Sequence, residues 1–156
     1  LKSAPLELER FLPYRLSVLS NTISAAIARD YGKRFGLAVT EWRVIAVLGR
    51  YDGLSAVEVA ERTAMDKVAV SRAVNALQES GRIRRGTHAD DKRRSVLALS
   101  AKGRKLYDDV APTALRYERE LLAVLSAEER DWLERILGKL VEEGHDALAR
   151  AASAPR

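Results

Sequence analysis

The segment from Met65 to Leu99 constrains the fold more than any other stretch of the chain. It reads MDKVAVSRAVNALQESG, then RIRRGTHADDKRRS, then VLAL. Asp66 is a natural helix N-cap, because a short carboxylate accepts from the free amides of a first turn. Val70, Ala73, Val74 and Leu77 recur at helical spacing and form one apolar stripe. Gly81 supplies a left-handed stop. Ile83 then opens a short strand, and Val96 to Leu99 forms its partner. Between them, His88 to Arg94 offers no large apolar side chain to bury.

The charge distribution singles out the same region. Residues 82–105 contain nine Lys or Arg and two acids, Asp90 and Asp91, for a net +7, while the whole chain is only +5. The remaining 132 residues therefore sum to −2. A local excess of this kind suits a phosphate-binding surface, whereas a diffuse one reflects solubility alone. A helix followed by a basic hairpin is the arrangement of a winged helix-turn-helix.

At 156 residues, the chain fits one domain or one small domain with appended helices. No apolar run approaches the roughly 20 residues needed to span a bilayer, and no signal-peptide pattern opens the sequence. A cytoplasmic protein with no membrane partner is expected. There is no cysteine, and the only histidines are His88 and His145. Disulfides, thiolate catalysis and Cys-type zinc sites are thereby excluded. The sequence also lacks a metal-spaced His/Asp cluster, a glycine-rich phosphate loop after a strand and a nucleophile elbow. We expect no enzyme, no catalytic residue, no metal and no cofactor.

Taken in order, Leu1 to Glu7 reads as a loose arm. Leu12, Leu16, Leu19, Ile23, Ala26 and Ile27 mark a long amphipathic helix. It starts or kinks at Pro13 and ends near Tyr31 to Phe35, with Gly32 and Gly36 as breakers. Thr40 is placed to cap a helix from Glu41 to about Tyr51, with Trp42, Ile45 and Leu48 inward and Gly53 closing the turn. Ser55 to Glu58 matches the capping box and opens a short helix to about Thr63. Ala64 and Met65 turn into the helix that starts after Asp66, completing a helix-turn-helix. Ser100 caps a long helix that Pro112 should kink. Ser126 to Glu129 is a second capping box, opening a last helix along Trp132, Leu133, Ile136, Leu137 and Leu140. Ala151 to Arg156 reads as a frayed tail.

The expected fold is mostly α with a small β wing. Residues 37–100 form a winged helix-turn-helix lobe. Residues 1–36 and 101–156 supply long terminal helices. Their apolar stripes exceed what the lobe needs, and a second copy is the simplest cover. A homodimer would set two recognition helices one DNA turn apart, ~34 Å, on a pseudo-palindromic operator.

Three segments, LAVTEWRVIAVL, LSAVEVAERTAMDKVAVSRAVNALQESGRI and DDKRRSVLALSAKGR, resemble successive blocks of the MarR-type (multiple antibiotic resistance) regulators. The match is densest from Leu37 to Gly103. Asp91-Lys92-Arg93 followed by strand and Ser-Ala-Lys-Gly-Arg is specific in combination. The resemblance implies a homodimeric winged helix-turn-helix repressor, often released by a small aromatic or anionic effector. Two departures stand out. Val68 and Ala69 occupy positions where members often carry Ser or Thr, which favours apolar contacts such as thymine methyls. The lack of cysteine excludes the thiol-sensing branch, and two histidines argue against a zinc-sensing one.

Candidate DNA-binding residues are Lys67, Val68, Ala69, Ser71, Arg72 and Asn75 on the recognition helix, and Arg84, Arg85, Asp91, Lys92, Arg93 and Arg94 on the wing. Asn pairs bidentately with adenine and Arg with guanine. Asp91 cannot favour phosphate, so its expected role is to hold Arg93 through a charge-assisted bond. Tyr14, Arg15, Trp42 and Arg43 are candidate effector-pocket walls, with rings for an aromatic body and guanidinium for a carboxylate. Each equally suits core packing or a surface ion pair. The rival reading is a winged helix used for protein contacts without specific DNA binding, and the +7 segment speaks against it.

Overall fold

Helix boundaries in this chain are written by short-range caps. In the computed structural model, which describes residues 5–87 and 95–153, a 3₁₀ turn at Leu8–Arg10 leads into α1, Leu12–Phe35. Pro13 sits in the first turn of α1, where its missing N–H costs nothing. Gly36, at φ +59°, ends the helix in the left-handed region.

Helix α2 spans Val39–Arg50, so it starts two residues before the expected position. Thr40 therefore lies inside the first turn and does not cap it. The Glu41 carboxylate instead accepts the Ala38 N–H at 2.8 Å. Helix α3, Ala56–Thr63, opens with the expected capping box. Glu58 accepts from the Ser55 N–H at 2.8 Å, and Ser55 Oγ accepts from the Glu58 N–H at 3.3 Å. Helix α4, Lys67–Glu79, begins with Asp66 Oδ1 accepting the Ala69 N–H at 2.8 Å. Strands β1, Ile83–Thr87, and β2, Ser95–Leu99, pair antiparallel with Ile83 opposite Leu99 and Thr87 opposite Ser95. A bridge from Leu54 to Leu97 ties the segment before α3 to β2.

Ser100 Oγ caps α5, Ala101–Leu122, by accepting the Gly103 N–H at 3.0 Å. The helix runs through Pro112 without interruption. Helix α6, Ala127–Ser153, opens on the predicted Ser126/Glu129 box. It extends through Ser153, so Ala151 to Ser153 are helical and not a frayed tail.

The chain parts into two compact units between Tyr117 and Glu118. The first contains the whole buried core. Val44, Ile45 and Leu48 of α2, Val59 of α3 and Val70, Val74 and Leu77 of α4 are sealed from solvent, and Leu97 of β2 closes the wing onto them. Tyr31 of α1 and Leu106 and Val110 of α5 join the same cluster. The second unit, which holds α6, has no buried residue among those described.

One close approach fixes α5 against the wing. A Cβ on Gly103 would fall 1.9 Å from the Arg82 carbonyl oxygen, which is backbone and cannot step aside. Only glycine fits there. Tyr31 is 2% exposed, and its hydroxyl finds no hydrogen-bond partner among the described residues. Burial pushes its pKa up to about 12, against a smaller opposing pull from Arg43.

Candidate nucleic-acid interface

The turn between α3 and α4 sets the angle at which α4 is offered. Ala64 adopts φ +52°, the one non-glycine residue in the left-handed region among those described. The Met65 N–H reaches back to the Ala60 carbonyl at 3.3 Å, closing α3. An alanine there costs about 1–2 kcal/mol of local strain, which the packing of both helices offsets.

Helix α4 then divides cleanly. Val70, Ala73, Val74 and Leu77 are buried, while Lys67, Val68, Ser71, Arg72 and Asn75 are exposed. Ala69 is half-buried, and its amide is already committed to Asp66. Lys67, Ser71 and Asn75 surround a depression of about 130 Å³, closed on one side by Val57 of α3 and on another by Arg85 of β1. Arg85 also reaches Ser95 Oγ across the strand pair at 3.4 Å. Arg84 is exposed beside it. The structure thus brings the α4 face and the base of the wing together. Asp91, Lys92, Arg93, Arg94 and His88 lie outside the described residues.

Four further cations in residues 82–105 make contacts within the chain. The Arg82 guanidinium donates to the Phe35 carbonyl at the end of α1, and Lys102 Nζ donates to the Ser80 carbonyl at the end of α4 at 2.7 Å. Arg104 donates to the Gly49 carbonyl in the last turn of α2 at 3.0 Å. Lys105 pairs with Asp109 at 3.0 Å. Cations at helix C-termini satisfy orphan carbonyls and complement the helix dipole. Three of these side chains tie helix ends to neighbouring elements and the fourth pairs within α5, roles that the sequence reading missed.

Of the candidate pocket walls, Trp42 and Arg43 come together. They line a cavity of about 470 Å³ with Ser20 and Ser24 of α1 and Arg62 of α3. Arg43 Nη2 lies 3.5 Å from Ser24 Oγ. Trp42 also stacks on Tyr107 of α5, with centroids 6.2 Å apart, and tilts against Tyr31 at 5.9 Å. Tyr14 and Arg15 do not line this cavity; they stand exposed on α1.

Comparison with known proteins adds an independent observation. Residues 35–94 match the model of the MarR family. The HTH-type transcriptional regulator BilQ of Clostridium symbiosum is 30% identical over 103 residues, covering 65% of this chain and 72% of its own. An HTH-type transcriptional repressor of Mycobacterium tuberculosis is 27% identical over 131 residues, covering 83% of this chain and 91% of its own. The crystal structure of a MarR/EmrR family transcriptional regulator from Acinetobacter sp. ADP1 superposes with a TM-score of 0.81 at 30% identity, covering 90% of this chain and 99% of that one.

Proposed function

The chain belongs to the MarR family of DNA-binding transcription regulators, which are not enzymes, and from that premise we propose that it acts as a homodimeric repressor released by a small ligand. The observation that carries this reading is one juxtaposition. Lys67, Ser71 and Asn75 of α4 and Arg85 of β1 ring a single depression on an exposed face.

In the major groove, Asn75 offers a donor and an acceptor to an adenine edge, Arg72 offers two donors to a guanine edge, and Ser71 serves either base. Lys67 and Arg84 contact phosphates. Arg85 of β1 stands across that depression from α4, and the minor-groove contacts of the reading are assigned to Lys92, Arg93 and Arg94, with Asp91 as the proposed partner of Arg93. Minor-groove arginines read width and A·T content, so the wing contributes affinity more than sequence choice. Repressor function follows the relative from Mycobacterium tuberculosis.

The terminal helices supply the second copy. Leu12, Leu16 and Leu19 of α1, and Trp132, Ile136 and Leu140 of α6, are all exposed, and each set recurs along one helix face. Tyr14 and Arg15 lie on the same α1 segment. A symmetric pairing of these helices covers the stripes and places two α4 helices on a pseudo-palindromic operator.

The effector site is the cavity of Trp42 and Arg43. An indole faces an aromatic body, and two guanidinium groups, Arg43 and Arg62, meet an anionic head. A ligand there, between α1 and the helix-turn-helix, would favour dimers whose α4 helices are misspaced. Coupling of about 1–3 kcal/mol changes DNA affinity about 5–150-fold. Aromatic carboxylates, their thioesters and phenols are the compounds to screen.

Selection of bound duplexes from a random pool tests the whole reading. We expect two inverted half-sites with centres about 10 base pairs apart. Recovery of no preferred sequence, at low salt and high protein, would refute it.

A further inference from the structure

Two valines on the lobe have no structural reason to be where they are. Among the described residues from Leu37 to Leu99, the large apolar side chains left exposed are Tyr51, Val57 and Val68. Tyr51 has a use, since the guanidinium groups of Arg62 and Arg50 lie 4.1 and 5.1 Å from its ring centroid. Val57 is 52% exposed and Val68 60% exposed. Both sit at the second position of their helices. A β-branched residue gains nothing in helix propensity there. Neither is needed to staple the chain at helix entry. That contact belongs to the residue before the cap and the fourth helical residue, which are Leu54 with Val59 and Met65 with Val70. All four are buried or half-buried.

Both stand on the helix-turn-helix, Val57 at the start of α3 and Val68 at the start of α4. Val68 lies one helical turn before Ser71 and Arg72, on the exposed face of α4. Val57 lines the same depression as Ser71, Asn75 and Arg85. Apolar and hydrogen-bonding groups are thus interleaved on the surface offered to DNA. The major-groove edge of a base pair displays one apolar group, the C5 methyl of thymine.

Resting on the operator-binding reading above, we infer that Val57 and Val68 read thymine C5 methyl groups, and that this contact sets part of the operator sequence. Removing the methyl while keeping every hydrogen-bonding group isolates it. Deoxyuridine in place of thymidine does this without touching the protein.

The experiment takes the duplex recovered from random-pool selection and replaces each symmetric pair of thymidines with deoxyuridines in turn. Binding is measured for the wild type, V57A, V68A and V57A/V68A, with circular dichroism confirming that helix content is unchanged. For the wild type, at least one pair should weaken binding by about fourfold per half-site, the effect of burying one methylene-sized group. The single variants assign each valine to its position, and the double variant should bind thymidine and deoxyuridine duplexes equally. If every deoxyuridine duplex binds the wild type as tightly as the parent, or if the double variant keeps the discrimination, the inference is overturned while operator binding stands. If selection recovers no preferred duplex, the operator reading itself has failed. The deoxyuridine series on wild-type protein decides the question even where a variant folds poorly.

Discussion

The lobe and the terminal helices treat apolar side chains in opposite ways. From Leu37 to Leu99, nearly every large apolar residue turns inward, and Val44, Ile45, Leu48, Val59 and Leu77 are sealed from solvent. Along the first half of α1 and most of α6, residues of the same kind face outward, and α6 buries none fully. Helix α1 holds both behaviours, because its last turns place Tyr31 in the core while Leu12, Leu16 and Leu19 stay exposed. The lobe therefore closes its core with only the last turns of α1 and the first turns of α5, through Tyr31, Leu106 and Val110. The terminal helices are formed and capped, yet their apolar faces gain nothing until something covers them. Most helical stability comes from packing such a face. A lesion in the lobe should be felt in one chain, and a lesion in the helices should be felt in assembly.

The sharpest form of this contrast is Leu77→Ala against Leu140→Ala. Leu77 is fully buried beneath the recognition helix, so its truncation should cost about 2–5 kcal/mol. Leu140 is 46% exposed, so its truncation should leave lobe unfolding nearly unchanged and weaken self-association. Chemical denaturation followed by Trp42 fluorescence in a Trp132→Phe background, with sedimentation for self-association, separates the two. Exchanged phenotypes would break the comparison.

Gly103→Ala comes next. The added methyl must displace the Arg82 backbone, and overpacking of this kind costs about 1–3 kcal/mol. A thermal shift of the lobe transition reads it.

Arg72→Ala probes the exposed face of α4. Stability should stay within about 0.5 kcal/mol of the parent. Specific DNA binding should fall by about 1–3 kcal/mol, with relaxed choice at one base pair. Titrations on operator and random duplex distinguish this from a general loss of affinity.

Tyr31→Phe sharpens the boundary inside α1. It removes a buried hydroxyl that has no partner among the described residues, so it should be neutral or stabilising by about 1 kcal/mol. The raised pKa adds a pH signature. The unfolded tyrosine ionises near its ordinary value of 10.0, while the folded one holds its proton to about 12. The associated stability is complete below pH 10 and is lost as pH rises between those values. Tyr31→Phe should abolish that component of alkaline unfolding.

The smallest effect is at the start of α6. Hydrogen bonds from Ser126 hold the Glu129 carboxyl below its ordinary pKa. The cap therefore contributes above the unfolded value and is lost as pH falls through the lowered folded one. Acid titration of helicity should show slight fraying, and Glu129→Ala should remove that pH dependence.

Local rules made most of this legible in the sequence. Asp66, the Ser55/Glu58 box and the stripe ending at Leu77 depend on neighbours three or four residues away, and they fall where expected. Thr40 misled because a good cap residue was outcompeted by Glu41 reaching back to Ala38. The long-range contacts could not be read. Arg82, Lys102 and Arg104 donate to carbonyls 47, 22 and 55 residues away, and a charge count treats them as surface. Trp42 and Arg43 share a cavity because α2 crosses α1 near Ser24, whereas Tyr14 and Arg15 lie on α1 outside it. Spacing along one helix does not reveal which residues another helix meets.

Sedimentation equilibrium on the full chain at micromolar concentration tests the central contrast most directly. The outward stripes of α1 and α6 predict a species of about twice 17.3 kDa. Charged substitutions at Leu16 and Ile136 should convert it to a single chain whose lobe still unfolds cooperatively. A wild-type protein that sediments as a monomer, with helicity intact, would contradict the account.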